Sequence, residues 1–504
     1  MQLGHLAYKQ FNATLLLAVL AAVLPSAVLA SAVPAQAALQ SSCSQDAHRY
    51  GTPDVDGDVV PDVVVGVPSG VVDGISAGAV DLRLSHAGTQ RVGPASFAGM
   101  PAVRGDEFGA HVARIWMDQD FCADLAIAAP GSGGGRGAVV LAEGGANGLQ
   151  AASAQRLVGR SAGERFGSAL AATRSDLGMD LFVGAPDRTV SGKAGAGAVD
   201  HYLVPGGGAA SYLGSITQDT AGVPGVAEVG DHFGATLAVN GVNGLAVGAP
   251  DEATGAARSA GVVTLLQVSP GTARIEAAHQ LAQGYEHTPG LAESGDRFGA
   301  ALTWTGSAFV VGSPGEAVGR AAAAGMVQAF ADISIDNPSR LVTTITQDSA
   351  GIPGTVEAGD QFGASLAALY GGWCSGETVA VGSPGEDVGS TRDAGSVTVV
   401  QDRAPGRSTC ERVYVQGSGG LGGAAETGDL VGASLATQDS GAEDDPGPTR
   451  LVVGVPGEGV GSAAHAGGIT VLTPVNVGTS ATSYGDTAGR VYGARYGQSL
   501  LVDR

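Results

Sequence analysis

The chain has 504 residues, with 48 Asp and Glu against 26 Lys and Arg, a formal net charge of -22. A field of that sign repels nucleic acid and anionic lipid, so neither is expected as a partner. With 83 glycines and only 5% aromatic residues, the chain builds turns and close backbone contacts rather than a large aromatic core.

The first segment has the order of a secretory signal. Lys9 precedes an apolar run from Leu15 to Leu24, and Ala35-Gln36-Ala37 supplies a small-residue cleavage site. Residues 1–37 are expected to be removed and 38–504 to form one repeat domain in a secreted, monomeric protein. The apolar run is too short for a membrane span of about 20 residues, and nothing later in the chain offers another. In an exported protein the even count of four cysteines favours disulfides. Three pairings are open. Cys374 and Cys410 fall within one repeat and are expected to pair, which leaves Cys43 with Cys122.

An acidic loop follows. Asp54, Asp56, Asp58 and Asp62 occupy positions 1, 3, 5 and 9 of a segment that turns at Gly57. Hard oxygen ligands in a small loop suit Ca²⁺, with the carbonyl of Val60 as a further ligand. Asp118, Asp120 and Asp124 form a second candidate, although Trp116 stands in its first ligand slot. The third loop keeps only Asp176 and Asp180. A late cluster, Asp439, Glu443, Asp444 and Asp445, lacks the spacing and reads as a solvated surface.

Two motifs then alternate to the end. One is a short apolar run closed by a small residue and proline, ending at Pro68, Pro130, Pro186, Pro250, Pro314, Pro384 and Pro456. The other is aromatic-glycine: Phe108-Gly109, Phe166-Gly167, Phe233-Gly234, Phe298-Gly299, Phe362-Gly363 and Tyr496-Gly497, with a degenerate copy at Val431-Gly432. Successive prolines lie about 56 to 72 residues apart, a spacing suited to stacked supersecondary units. Within residues 359–416 the Val-rich runs and Gly-rich turns predict strands at 364–367, 378–382, 396–400 and 412–416. Four short antiparallel strands make one propeller blade. The first proline half has no aromatic-glycine half before it, and the last aromatic-glycine half has no proline half after it. The expected fold is therefore all-β, a seven-bladed β-propeller of four-stranded antiparallel blades closed by the C-terminal strand.

These paired motifs resemble the FG-GAP repeat of the integrin alpha-subunit β-propeller, over nearly all of the chain after the signal. The resemblance implies seven blades, calcium in some hairpin loops, and cell adhesion or another binding role rather than catalysis. Asp54 to Asp62 resembles the family's calcium loop.

Recurring carboxylates point to architecture instead of chemistry. Asp106, Asp231, Asp296, Asp360 and Asp429 precede the aromatic-glycine halves; Asp187, Glu252, Glu316, Glu386 and Glu458 follow the proline halves. Beside Gly-rich turns they are expected to accept backbone N–H bonds. The integrin-type tripeptide Arg104-Gly105-Asp106 falls in the same slot, so its Gly and Asp belong to the repeat. Two G-x-S-x-G matches, around Ser76 and Ser161, lie in Gly-rich loops without the strand-to-helix elbow a hydrolase needs. No catalytic constellation is found. The expected function is a secreted calcium-binding module for an extracellular protein or glycan. A lectin-like propeller is the alternative, and an exported hydrolase a more remote one.

Overall fold

A computed structural model describes residues 54–500 except 86, 119, 121, 242–243, 286–287, 307, 332–339, 375, 403–410, 419, 439–448, 476–477 and 486–498. The expected signal, Cys43, Cys410, Tyr496-Gly497 and the Asp439–Asp445 loop all lie outside the described residues.

Seven four-stranded antiparallel sheets account for nearly all of the structure. Blade 1 combines Val63–Val67, Ala79–Leu84 and Gly88–Val92 with Ser499–Leu500. Blades 2 to 7 each run four strands in chain order, beginning at Val112, Ala169, Thr236, Ala301, Ser365 and Leu435. The expected strands of blade 6 appear at Ser365–Leu369, Thr378–Ser383, Ser396–Gln401 and Arg412–Tyr414.

Burial explains the composition of each strand. Second strands are buried almost throughout, as in Asp124–Ala129 and Ala308–Ser313, and so need no polar alternation. Fourth strands such as Gln150–Val158 are largely exposed and carry Gln, Ser and Arg. The first strands face one another around a central channel in whose wall alanine is the commonest residue, including Ala113, Ala171, Ala238 and Ala367. His111 is exposed to this channel, and the protein ringing the channel limits its solvation, which lowers its pKa to about 4.

The expectation of closure by the C-terminal strand needs correction. Each blade is a separate sheet, and among the described residues no sheet closes on itself by hydrogen bonds. Ser499–Leu500 adds only a two-residue ladder to blade 1, opposite Gly66 and Val65. The circle is completed by packing. Seven apolar clusters each span one joint between neighbouring blades, and that between blades 7 and 1 joins Ile469 and Val471 to Val65, Val67 and Ala79. Burial is non-directional, so it can seal a joint that two ladder pairs cannot.

The expected disulfide pairs, Cys374 with Cys410 and Cys43 with Cys122, are not seen among the described residues. Each expected bridge has one cysteine outside the described residues, and no bridge joins two described cysteines. Cys122 and Cys374 are nonetheless not free thiols.

The repeated motifs build the joints. The aromatic of each described aromatic-glycine pair is fully buried, as is Val431 in the degenerate copy. Its backbone lies against a glycine of the preceding blade, as in Gly78 with Phe108, Gly137 with Phe166 and Gly325 with Phe362. A Cβ on Gly325 would stand 2.3 Å from both the N and O of Phe362, so no other residue fits without a shift. The following glycine donates its N–H to the proline half of its own blade: Gly299 to Gly312 O at 3.0 Å and Gly363 to Gly382 O at 3.0 Å. The two halves of the sequence repeat are thus hydrogen-bonded partners.

Candidate metal centre

In an antiparallel four-stranded blade, the links between first and second strands share one end with the links between third and fourth. The second acidic loop is of the first kind, and the first acidic loop leads into the second strand of blade 1 at that same end. Asp54, Asp56 and Asp58 offer carboxylate oxygens within 4.8 Å of one another, and so do Asp118, Asp120 and Asp124. These are the only such groups of three or more His, Cys, Asp or Glu among the described residues.

Backbone hydrogen bonds shape the first loop. Asp54 Oδ1 accepts the N–H of Gly57 at 2.7 Å and of Asp58 at 3.0 Å, and its Oδ2 accepts Val59 N–H at 2.7 Å. Gly57 and Val59 both take left-handed φ, 76° and 72°, which lets the chain fold back on Asp54. Asp58 Oδ1 accepts the N–H of exposed Val60 at 2.8 Å. Asp62 stands apart from the convergent three. Buried, it accepts Val55 N–H at 2.7 Å and Ser85 N–H at 3.3 Å. Burial, and then the charge of Asp56, push its pKa up to about 8. Burial raises Asp54 as well.

The second loop repeats the plan. Buried Asp124 accepts N–H bonds from Met117 and Gly144, and burial raises its pKa to about 8. Asp120 is raised to about 7 by burial and then by its hydrogen bond with Asp118. Trp116 leaves the first ligand position empty of a carboxylate, as the sequence implies. The two loops touch: Ala123 N–H donates to Asp54 O at 2.8 Å and Gly145 N–H to Val55 O at 2.9 Å. Gln438 of blade 7 donates to Asp62 O. The first loop therefore binds blades 7, 1 and 2 together.

The donor set fits a hard divalent cation. Convergent carboxylates that resist ionisation beside one another would be relieved by positive charge. Blade 3 has made a different choice. Asp180 occupies the place of Asp62 and Asp124, and His201 Nε2 lies 2.7 Å from its Oδ1. Burial would raise Asp180, but the bonds from His201 and Gly271 outweigh it and its pKa is lowered. His201 is fully buried and stacks on Phe182 with ring centroids 4.4 Å apart. Sequence reading missed this pair because His201 lies one strand away, opposite Phe182 in the ladder.

The recurring carboxylates prove structural where described. Asp106, Asp296 and Asp360 each accept the N–H three residues earlier, from Val103, Glu293 and Glu357, at 2.6 to 2.8 Å. Asp231 and Asp429 do the same with Glu228 and Glu426. Asp106 of the Arg-Gly-Asp tripeptide is thus turned inward and buried. Ser76 donates its hydroxyl to Ser69 O at 3.1 Å, with no base beside it in that bond. Asp187 proves to be one residue out of register: Arg188 fills the slot of Glu252 and Glu316, and bonds Glu164 and Asp200.

No family model matches the chain, and no curated protein matches it. Among solved structures, it is similar to a functionally unknown protein from Desulfotomaculum acetoxidans DSM 771 at 11% identity and a TM-score of 0.47, over 88% of this chain and 99% of that one. It is also similar to a protein from Bacteroides fragilis NCTC 9343, provisionally assigned as a 6-phosphogluconolactonase, at 10% identity and a TM-score of 0.47. That match covers 87% of this chain and 97% of the other. Likeness at this level has no bearing on what the chain does. No helix among the described residues is long and apolar enough to cross a membrane.

Proposed function

We propose that this chain is an exported, calcium-binding β-propeller of the FG-GAP type, acting as a non-catalytic binding or adhesion module for an extracellular protein or glycan. The observation that carries the reading is the convergence of Asp54, Asp56 and Asp58 in a loop that joins three blades. Asp118, Asp120 and Asp124 give it a neighbour. The FG-GAP assignment rests on the motifs and on the hydrogen bond between their two halves within a blade. Export rests on the first 37 residues of the sequence.

Calcium, when bound, would supply the positive charge that lets the aspartates ionise together. Asp54, Asp56 and Asp58 would hold it first, and Asp118, Asp120 and Asp124 second. Rigid loops at that end leave the opposite links, between second and third strands and between blades, free to vary and to recognise a partner.

Calorimetric titration with calcium tests the metal, alongside melting in calcium and in chelator. Binding that is lost in the Asp56→Asn/Asp58→Asn double variant supports the site. No heat and no change in melting would end the calcium reading. A glycan array and a secretome pull-down, each with and without calcium, test the partner class. Esterase or phosphodiesterase turnover by the pure protein would overturn the non-catalytic reading.

A further inference from the structure

Four consecutive joints share a polar contact that neither the calcium loops nor the aromatic-glycine packing uses. A glutamine just after the fourth strand of one blade reaches a glutamate in the second-to-third link of the next. Gln218 Nε2 donates to Glu252 Oε2 at 2.6 Å and Gln283 Nε2 to Glu316 Oε2 at 2.6 Å. Gln347 bonds Glu386, and Gln416 bonds Glu458, in the same way. All four glutamines are at least 95% buried, and in all four Oε1 has no hydrogen-bond partner among the described residues.

A buried amide oxygen without a donor is costly; Gln328 and Gln438 share it but face a backbone carbonyl, whereas each of these four faces a carboxyl group that can carry a proton. A carboxylate can only accept, so it satisfies the amide nitrogen and leaves the oxygen alone. A protonated carboxyl both accepts and donates. Its O–H is the donor the amide oxygen lacks, and an amide and a carboxylic acid then pair through two hydrogen bonds.

We propose that the four glutamine–glutamate joints are proton-operated latches, closed when the glutamate is protonated, which tighten blades 3 to 7 against one another as the medium acidifies.

The charges around each glutamate favour the proton. Glu252 faces Asp231 and Glu228; Glu316 faces Asp296 and Glu293; Glu386 faces Asp360, Glu357 and Asp387; Glu458 faces Glu426 and Asp429. The nearby cations His232, Lys193 and His465 act on Asp231 and Asp429. Burial first, and then these neighbours, raise Glu252, Glu316 and Glu386 to about 7, and Glu458 is raised too. A metal is the poorer occupant, because these carboxylates do not converge as those of the two aspartate loops do. The preceding joint, between blades 2 and 3, carries its own permanent cation. There Arg188 takes the glutamate's slot and pairs with Glu164 at 2.9 Å and Asp200 at 2.6 Å.

The latched segments carry Val226, Val229 and Leu291, which are 60%, 74% and 76% exposed, at the end of the propeller opposite the aspartate loops. Acid would stiffen that surface. Each raised carboxyl binds its proton more tightly folded than unfolded, so the latch adds stability as pH falls from about 7 to about 4.5 and is lost above about 7.

The test compares the intact protein with the quadruple variant Glu252→Gln, Glu316→Gln, Glu386→Gln, Glu458→Gln, both in saturating calcium. Glutamine mimics the neutral acid in shape and can offer both bonds at any pH. We expect the wild-type Tm to rise between pH 8 and pH 5.5, the variant Tm to exceed it at pH 8, and the gap to close by pH 5.5. A gap that does not depend on pH overturns the latch. Carboxyl ¹³C titration of the unmutated protein is independent of whether the variant folds. At least three Glu side chains titrating near neutral pH support the proposal; all Glu side chains titrating below pH 5.5 refute it.

Discussion

Single residues set how closely the blades approach. Gly325 adopts φ of 88° and touches the backbone of Phe362. Gly325→Ala brings both a disfavoured backbone conformation and a clash, and should cost roughly 2 kcal/mol or more in a urea melt. The control is Gly319→Ala. Gly319 has a similar left-handed φ, 64°, but nothing lies within 4 Å of its would-be Cβ, so it should lose only about 1 kcal/mol. Equal losses would show that conformation and not contact requires the joint glycine. Both the recurring glycines and the prolines stand out in the sequence because one backbone solution is repeated in every blade. His201 does not stand out, since its partner Asp180 is found only once strand register is known.

Among the links between strands, charge is paired differently from joint to joint. Arg188 lies buried between Glu164 and Asp200, and Arg188→Met would leave buried Glu164 without its cation and buried Asp200 with only Arg160, at 3.8 Å. A loss of about 3 to 5 kcal/mol is expected. Adding Glu164→Gln and Asp200→Asn should recover much of it, and a double-mutant cycle would measure how much. His232 bridges Asp251 at 2.8 Å and Asp187 at 3.3 Å in adjacent blades. Its pKa is raised, chiefly by the hydrogen bond to Asp251, with burial opposing. The bridge contributes fully below the unfolded value of 6.5 and is lost as pH rises through the higher folded value. His232→Gln should therefore lower Tm most below pH 6.5 and least at pH 9. The reverse order would mean that the neutral imidazole is the stabilising form. None of these pairs was legible from the sequence. Their spacing follows the ring, not the chain, and Arg188, two residues after Pro186 as Glu252 is after Pro250, was passed over for its acidic neighbour Asp187.

At the scale of the whole molecule, blade count and strand order were legible, because alternating motifs fix the repeat without reference to tertiary contacts. The means of completing the circle was not, since a motif at each end says nothing of whether ladder bonds or packing carries the last joint. Calcium should report on that joint. Binding only to the native state would add about 2.7 kcal/mol when calcium is roughly 100 times its dissociation constant. The amides of Ala123 and Gly145, which donate into the first aspartate loop, should exchange more slowly with calcium than with chelator. Unchanged exchange there, with protection elsewhere, would move the site away from Asp54.

The joints themselves have an implication for descent. Five of them are written in the same residues: a glycine in one blade, an aromatic-glycine pair in the next, a small residue before proline to receive its N–H; a sixth differs only in having Val431 for the aromatic. A duplicated stretch running from one aromatic-glycine to the next would arrive with both sides of its joint already made. Such a molecule can gain or lose a segment in one genetic event, and its circumference is then limited by the width of the central bore and not by any residue that counts to seven.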